Sequence, residues 1–423
     1  MSAIGALVGL VFAIVLIVRK VSPTYSLILG ALIGGIFGGF SVPETVAIMI
    51  DGVKDVTPAI LRILTAGVLS GVLIKTGAAA SISHTIVRKV GNKHIYLALA
   101  LATMLLTATG VFIDVAVITV APITLTIGRQ LLIPKAKLLF VMVGGGKCGN
   151  IISPNPNTII SAENFNADLS SVMFVNIIPA IIGLFVTAYI IVHFLPKIGE
   201  MVKDDLNEND SIDKLPSFTK SMVAPIVTIG LLALRPLFGI VVDPLLALPA
   251  GGLSGILVMQ KWDKLTISIE YGLEKMSTIA ILLVGTGTIA GIVKASTIKD
   301  YLLKALAQTN LGEVLIAPFS GALMSAATAS TTAGATVASA SFAETITAAG
   351  VSVVWGAAMI NVGATVLDHL PHGSFFHTTG GATYMKMSER MKIIPFETLI
   401  GLVLTISSVA VYFILGQWIG LQE

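Results

Sequence analysis

The sequence predicts an all-α polytopic membrane protein made of two inverted repeats. Hydrophobic residues form 55% of the 423 residues, charged residues form only 12%, and the mean hydropathy is +0.93. Soluble domains carry about twice that charge content, at roughly 25%. Many apolar runs approach the length of about 20 residues that a helix needs to span a bilayer core. In addition, two proline-broken apolar runs occupy corresponding positions in the two halves of the chain.

Charge and cysteine content exclude other classes. The formal net charge is only +3 and the basic residues gather at the ends of apolar runs, so we expect no nucleic-acid partner. Cys148 is the single cysteine, which excludes an intramolecular disulfide. The first apolar run, residues 3–18, lacks a preceding basic region and an obvious cleavage site. We therefore interpret it as a retained span rather than a signal peptide.

The first predicted repeat covers residues 1–196. Its scaffold spans lie within residues 3–77, with a polar connection expected at 41–56. After them, residues 78–90 have the pattern of an amphipathic helix at the membrane interface. Residues 95–128 are interrupted by a glycine and a charge, which favours a re-entrant hairpin with its tip at the protein centre. A broken helix at 138–165 and a full span at 172–195 complete this repeat.

The second predicted repeat covers residues 221–423 and follows a polar cytoplasmic linker at 197–220. It repeats the same order of elements. The predicted segments are scaffold spans at 221–293, an amphipathic stretch at 297–307, a hairpin at 311–348, a broken helix at 352–380 and a last span at 396–414. Each repeat then crosses the membrane about five times and adds one hairpin. An odd number of crossings makes the two repeats inverted relative to each other.

The two breaks are the expected centre of a solute site. Pro154 and Pro156 each remove a backbone donor inside an apolar run, and Pro371 interrupts the corresponding run of the second half. In a bilayer, opened backbone is tolerated only where it is buried in protein or lines a polar cavity. A proline-kinked helix packed through small residues is the alternative. The candidate binding residues at the breaks and hairpin tips are Asn150, Ser153, Asn155, Asn157, Thr158, Thr328, Ser330, Thr331, Thr332, His369, His372 and Ser374.

Broken helices in two inverted halves are typical of secondary transporters. A channel would show a filter-like repeat, and an enzyme or an ATP-driven pump would show a hydrolase, metal-site or Walker motif; none of these motifs occurs in the sequence. We therefore expect no enzymatic activity, no cofactor and no metal. The distribution of Lys and Arg places both termini outside the cell, with the chain in the inner (plasma) membrane.

Several motifs make the chain similar to the gluconate permease family of the ion transporter superfamily. The resemblance runs nearly end to end and includes the Arg88-Lys-Val-Gly-Asn-Lys-His94 neighbourhood, Phe165-Asn-Ala-Asp168 and the acidic Asp114 in the first hairpin. At the breaks, the residues around Ser153-Pro-Asn-Pro-Asn and His369 differ from those typical of the family. The resemblance implies proton-coupled uptake of a sugar acid such as gluconate, or of a small hydroxy acid, by an elevator-type homodimer.

A carboxylate substrate needs donors that replace its water. Helix amino termini and the neutral side chains at the breaks can supply them, and Lys147 is the candidate counter-charge. For proton coupling, the candidates are Asp114, whose burial at a hairpin tip disfavours its charged form, and His369. Sodium coupling through carbonyl and side-chain oxygens is an open alternative. Asp114 and Lys147 could instead form a structural ion pair.

Overall fold

The computed structural model describes residues 2–196, 215–297, 312–371 and 373–419. Within these ranges all regular secondary structure is helical and no β-strand occurs, so the prediction of an all-α protein is confirmed there. The predicted linker lies largely outside the described residues, because 197–214 are not among them. The same holds for 298–307 of the predicted amphipathic stretch and for the candidate residue His372.

The helices before the linker are α1 (Ala3–Val18), α2 (Pro23–Phe37), α3 (Val42–Lys75), α4 (Ala78–Val90), α5 (Ile95–Ala108), α6 (Ile113–Gln130), α7 (Lys135–Asn150), α8 (Pro156–Asn164), α9 (Leu169–Val175), α10 (Ile177–Val186) and α11 (Val192–Phe194). The helices after it are α12 (Phe218–Ser221), α13 (Val223–Phe238), α14 (Pro244–Met259), α15 (Leu265–Lys294), α16 (Gly312–Thr328), α17 (Thr331–Ala348), α18 (Val353–Gly363), α19 (Ser374–Ala382), α20 (Met387–Met391) and α21 (Ile394–Ile419). A π-helical turn at Thr187–Ile191 joins α10 to α11.

Six helical segments of the described chain are long and apolar enough to cross a membrane: Val42–Lys75, Ile113–Gln130, Leu169–Phe194, Phe218–Arg235, Trp262–Lys294 and Met387–Gly416. Shorter apolar helices, among them α1, α2 and α5, lie beside them. At a rise of about 1.5 Å per residue, the 34 residues of α3 exceed the thickness of a bilayer core, so α3 can span it only with tilt or with ends outside it.

The segment at 41–56, predicted as a polar connection, is instead the beginning of α3. Ser41 and Glu44 form a capping box, in which the Ser41 amide donates to Glu44 Oε2 at 2.9 Å. Further along, Lys54 Nζ pairs with Asp51 Oδ1 at 2.8 Å on one face of the helix. The prediction was wrong because these charges start and support a helix, whereas we interpreted them as a loop.

Glycines bring α3 and α15 into close contact. A methyl group at Gly52 would collide with the carbonyl oxygen of Gly287, and one at Gly71 with that of Ser268. Such close backbone approach is typical of small-residue packing between membrane helices. α15 begins at Leu265, well before the apolar carboxyl-terminal part of the helix.

The two broken helices form the centre of the molecule. Every residue of α7 from 138 to 150 is buried, and so is every residue of α18 from 354 to 363. A helix that is buried on all sides lies in a protein core rather than against lipid. The chain leaves helical geometry after Asn150 and resumes it at Pro156, and it does so again between Gly363 and Ser374. Both predicted breaks are therefore present.

Candidate functional site

A central cavity of about 670 Å³ lies where the two helix breaks meet the two hairpin turns. The turn between α5 and α6 contributes Phe112 to Val115, and the turn between α16 and α17 contributes Thr328 to Ala333. The breaks contribute Asn150, Asp368 and the start of α19. The remaining wall comes from the first residues of α2 and from one face of α15, which carries Lys275. We call this space the central cavity.

The turn between α16 and α17 lines the cavity with hydroxyl groups. Ala329 has a φ of 46°, a left-handed conformation that reverses the chain within two residues. Ser330 caps α17, since its Oγ accepts from the Ala333 amide at 3.2 Å. Thr331 Oγ1 donates to Asp368 Oδ2 at 2.5 Å, which ties this turn to the second break. The amino end of α17 thus faces the cavity with its hydroxyls and its partial positive charge.

Asp114 lies in the first turn of α6 and lines the cavity from the other hairpin turn. It is half-buried, and its Oδ1 accepts from the Val115 amide at 2.9 Å. Across the cavity, Lys275 is exposed and its Nζ lies 5.6 Å from the centroid of the Tyr271 ring. Sequence reasoning missed Lys275. The available signal was a lysine well inside a long helix that is otherwise apolar toward its carboxyl end.

Lys147 and Asp368 form an ion pair in the protein core, with Nζ and Oδ1 2.7 Å apart. Both side chains are almost fully buried, at 0% and 2% exposure. Lys147 Nζ also lies 3.0 Å from His369 Nδ1 and donates to the carbonyls of Thr365 and Glu397. The proposed structural pair between Asp114 and Lys147 is therefore not formed. Packing of α7 against the second break gives Lys147 a different carboxylate.

His369 is fixed on both ring nitrogens. Its Nδ1 lies 3.0 Å from Asp368 Oδ1, and its Nε2 lies 3.1 Å from both the Ile394 carbonyl and Thr398 Oγ1. The ring is fully buried and does not line the central cavity. His369 therefore links the second break to α21.

Four amide and hydroxyl side chains near the first break bind one another and a residue of the second half. Asn155 Nδ2 donates to the carbonyl oxygen of Asn150 at 2.9 Å, and Asn155 Oδ1 accepts from Thr158 Oγ1 at 3.1 Å. Asn157 Nδ2 donates to Asn361 Oδ1 at 2.6 Å, and Asn361 Nδ2 donates to Thr158 Oγ1 at 3.0 Å. Asn361 was missed, although an asparagine inside the apolar α18 was a visible signal. This asparagine network fastens α8 to α18.

The structure thus separates the predicted site residues into two groups. Those that line the central cavity are Asp114, Asn150, Thr328, Ser330, Thr331, Thr332 and Ser374. Those that are buried away from it are Lys147, Ser153, Asn155, Asn157, Thr158 and His369. Ser153 Oγ has no hydrogen-bond partner among the described residues.

The protein-family model described as GntP family permease matches residues 1–250, which is more than half of the chain. The chain belongs to the GntP permease family. The resemblance seen in the sequence is thereby confirmed. Residues 220–310 of this permease also match the Na⁺-H⁺ antiporter family. It follows that the chain is a multi-pass membrane permease and not an enzyme.

Two relatives match this GntP permease over nearly its whole length. An uncharacterized transporter of Haemophilus influenzae is 52% identical over 97% of this chain and 98% of the relative. The high-affinity gluconate transporter of Escherichia coli K12 is 23% identical over 94% of this chain and 97% of the relative. The Gnt-II system L-idonate transporter of the same strain is 23% identical over 76% of this chain and 78% of the relative. Among solved structures, the YdaH transporter of Alcanivorax borkumensis superposes with a TM-score of 0.65 over 98% of this chain and 99% of its own chain. Its sequence identity is 14%, so the likeness concerns the fold alone.

A second group of charges joins the breaks of the permease to its long helices. Arg62 of α3 pairs with Glu163 at the end of α8 and, at 2.7 Å, with Asp243. Arg235 pairs with Asp168 at 2.9 Å. Hydrogen bonds from Arg62 hold the pKa of Asp243, which lies in the loop before α14, below its usual range. These pairs connect α8 and the turn after it to α3 and to the α13–α14 connection.

Proposed function

We propose that this GntP permease is a secondary active transporter that takes up an organic carboxylate together with protons. The substrate class is a sugar acid such as gluconate, or a small hydroxy acid. The central cavity carries the proposal, because both hairpin turns and both breaks meet there. Its volume of about 670 Å³ suits a small-molecule site. Relatives named as gluconate and L-idonate transporters support the choice of a sugar acid.

The lining of the cavity suits a hydroxy acid. Hydroxyls of Ser330, Thr332 and Ser374 can exchange hydrogen bonds with substrate hydroxyls without adding charge. The amino ends of α17 and α19 both reach the cavity and offer unpaired backbone donors to an anion. The buried asparagine network then acts as support that holds the breaks in shape.

We further infer an elevator-type transporter with two inverted repeats, residues 1–196 and 221–423. In this proposal α1–α3 and α13–α15 form a fixed scaffold that also holds a homodimer. The hairpins and broken helices, 95–165 and 312–380, move as one body. The asparagine network supports that rigidity, since it joins α8 of one repeat to α18 of the other. We place both termini outside the inner membrane.

Asp114 is our candidate for the coupling proton. A carboxylate at a hairpin turn is costly to keep ionised away from water, by about 2.5–3.5 kcal/mol on insertion scales, and protonation removes that cost. Asp114 interacts electrostatically with Lys275, which lines the same cavity, and with Tyr271, while Asp368 is held by its pair with Lys147. We rank His369 second, because both of its nitrogens already have partners.

Sodium coupling is the competing function, and the match of residues 220–310 to the Na⁺-H⁺ antiporter family favours it. Uptake into proteoliposomes distinguishes proton coupling from sodium coupling. We expect labelled gluconate, or a short hydroxy acid that competes with it, to accumulate when the pH outside is lowered. Accumulation that follows a sodium gradient and ignores the pH difference would replace proton with sodium coupling. Failure of every sugar acid and hydroxy acid to be taken up would refute the substrate class.

A further inference from the structure

We propose that Lys275 of α15 supplies the positive charge that binds the carboxylate group of the substrate. The inference rests on the proposed function, carboxylate transport through the central cavity, and names the residue that selects for the acid group. It replaces Lys147, the cation that the sequence suggested for this role.

A desolvated carboxylate needs a cation or several strong donors close by. The buried cations of the described core are already neutralised by carboxylates. Lys147 is fully buried and pairs with Asp368 at 2.7 Å, and Arg390 pairs with Glu397 at 2.9 Å with both side chains buried. Neither Lys147 nor Arg390 lines the central cavity. An additional anion would have to break one of these pairs to use them.

Lys275 differs from Lys147 and Arg390 both in its access to the cavity and in its lack of an ion pair. It lines the central cavity, and no carboxylate of the described residues forms an ion pair with it. Its Nζ lies 5.6 Å from the centroid of the Tyr271 ring, a weak partner compared with an anion, and it interacts with the Asp114 carboxylate electrostatically without forming an ion pair. Lys294 of the same helix shows the usual arrangement, since its Nζ lies 3.1 Å from Glu344 and 3.5 Å from Asp55.

The position of Lys275 along α15 also supports a role in substrate binding. It lies in the eleventh position of α15, inside a segment that can span the membrane. Ionisable side chains in such segments face protein cavities and find partners there. A substrate carboxylate bound to Lys275 Nζ places the rest of a hydroxy acid toward the hydroxyls of Ser330, Thr332 and Ser374, which line the same cavity. Because α15 belongs to the proposed scaffold, Lys275 binds the substrate in the conformation seen here, and the contact is lost when the hairpins and broken helices move.

Asp114 shares this cavity with Lys275, so an ionised Asp114 and a substrate carboxylate compete for the same positive charge. Protonation of Asp114 leaves Lys275 to the substrate alone. One proton and one carboxylate then enter together, which links the identity of the binding cation to the coupling step. Asp368 does not enter this competition while Lys147 holds it.

The test measures the affinity of the purified permease for gluconate, by calorimetry, in wild type, Lys275→Gln and Lys275→Arg. A hydrogen bond to a charged group contributes about 1.5–3 kcal/mol, so we expect Lys275→Gln to weaken binding by roughly tenfold or more. Lys275→Arg keeps the charge and should retain most of the affinity. Lys294→Gln is the matched control on the same helix and should bind as the wild type does.

Chemical modification gives a second readout that does not depend on how well Lys275→Gln folds. Cys148 is fully buried, so Lys275→Cys creates the accessible thiol of the chain. We expect a positively charged aminoethyl thiosulfonate to restore gluconate binding to Lys275→Cys and a negatively charged sulfonate reagent to leave it weak. Lys294→Cys should respond to neither.

Two results would overturn the inference in distinguishable ways. If the wild type binds gluconate and Lys275→Gln binds it equally well, Lys275 is not the carboxylate partner while the proposed function stands. The same conclusion follows if both reagents act alike on Lys275→Cys. If the wild type binds and takes up none of the sugar acids and hydroxy acids tested, the proposed function fails and the role of Lys275 fails with it.

Discussion

Replacing Lys147 with methionine tests the ion pair at the centre of the permease. Methionine has nearly the same length and volume as lysine, so the substitution removes the charge and leaves little empty space. Among the described residues, the Asp368 carboxylate then keeps the hydroxyl of Thr331 and the ring of His369 as partners. The carbonyls of Thr365 and Glu397 lose a donor as well.

The loss of stability expected for Lys147→Met follows from the burial of the Lys147–Asp368 pair. Lys147 is 0% exposed and Asp368 is 2% exposed, so the Asp368 carboxylate that remains in Lys147→Met is poorly hydrated. Removal of one partner from a buried ion pair costs about 3–5 kcal/mol of stability. We expect Lys147→Met to fall in that range. In Lys147→Met/Asp368→Asn the stranded charge is gone, and we expect the double variant to regain about 0.5–3 kcal/mol relative to the sum of the single variants.

The free energy of unfolding can be measured by titration of detergent-solubilised permease with sodium dodecyl sulfate. Trp355 is fully buried in α18, so its contribution to the tryptophan fluorescence reports on exposure of that central helix. Asp368→Asn alone completes the double-mutant cycle. The reasoning is refuted if Lys147→Met loses less than about 1 kcal/mol, or if the double variant is no more stable than the two single losses predict.

Three further predictions concern other parts of the permease. Asp114→Asn should keep gluconate binding and lose accumulation driven by a pH gradient; gradient-driven uptake that survives in this variant would exclude Asp114 as the coupling site. Asn157→Ala and Asn361→Ala should each lower the free energy of unfolding by about 1–3 kcal/mol, because each leaves a buried amide without its partner, and the two losses should be less than additive. Asn157→Ala should also weaken substrate affinity. Unchanged stability in both variants would contradict the network. Gly71→Ala should destabilise the α3–α15 contact by about 1–3 kcal/mol, since the added methyl overlaps a backbone carbonyl. Gly230→Ala, where the methyl meets nothing within 4 Å, is the matched control and should be neutral or stabilising; equal melting temperatures for both alanine variants would refute the packing argument.

Composition and local sequence were enough to predict much of this architecture. Hydropathy identified a helical membrane protein, because apolar runs of that length have few other stable solutions. At the first break, Pro154 lies about one turn beyond the end of α7, which is the range over which a missing amide and a steric clash act. Pro371 lies within the second break but eight residues beyond the end of α18, so it marks this break without setting where the helix ends. The residues of the two hairpin turns were also predicted, and the structure places most of them on one cavity.

Local patterns failed where a residue's role depends on its partner. Glu44, Asp51 and Asp55 suggested a polar connection at 41–56, but they belong to a continuous α3 that Ser41 and Glu44 initiate. Hydropathy measures the polarity of a segment and does not register that a capping box and a charge pair at helical spacing favour helix.

Tertiary structure alone decided which buried groups meet. Lys147 and His369 are 222 residues apart in the chain, and Asn157 and Asn361 are 204 apart. Whether Lys147 pairs with Asp114 or with Asp368 depends on how α7 packs against the second break, which no local pattern specifies. The same packing buries Lys147 and leaves Lys275 facing the cavity. Sequence thus indicated that charges and amides such as Asp114, Lys147 and Asn157 lie inside the membrane protein, although it missed Lys275 and Asn361. The packing of helices far apart in the chain decided which of these groups pair with one another and which line the cavity.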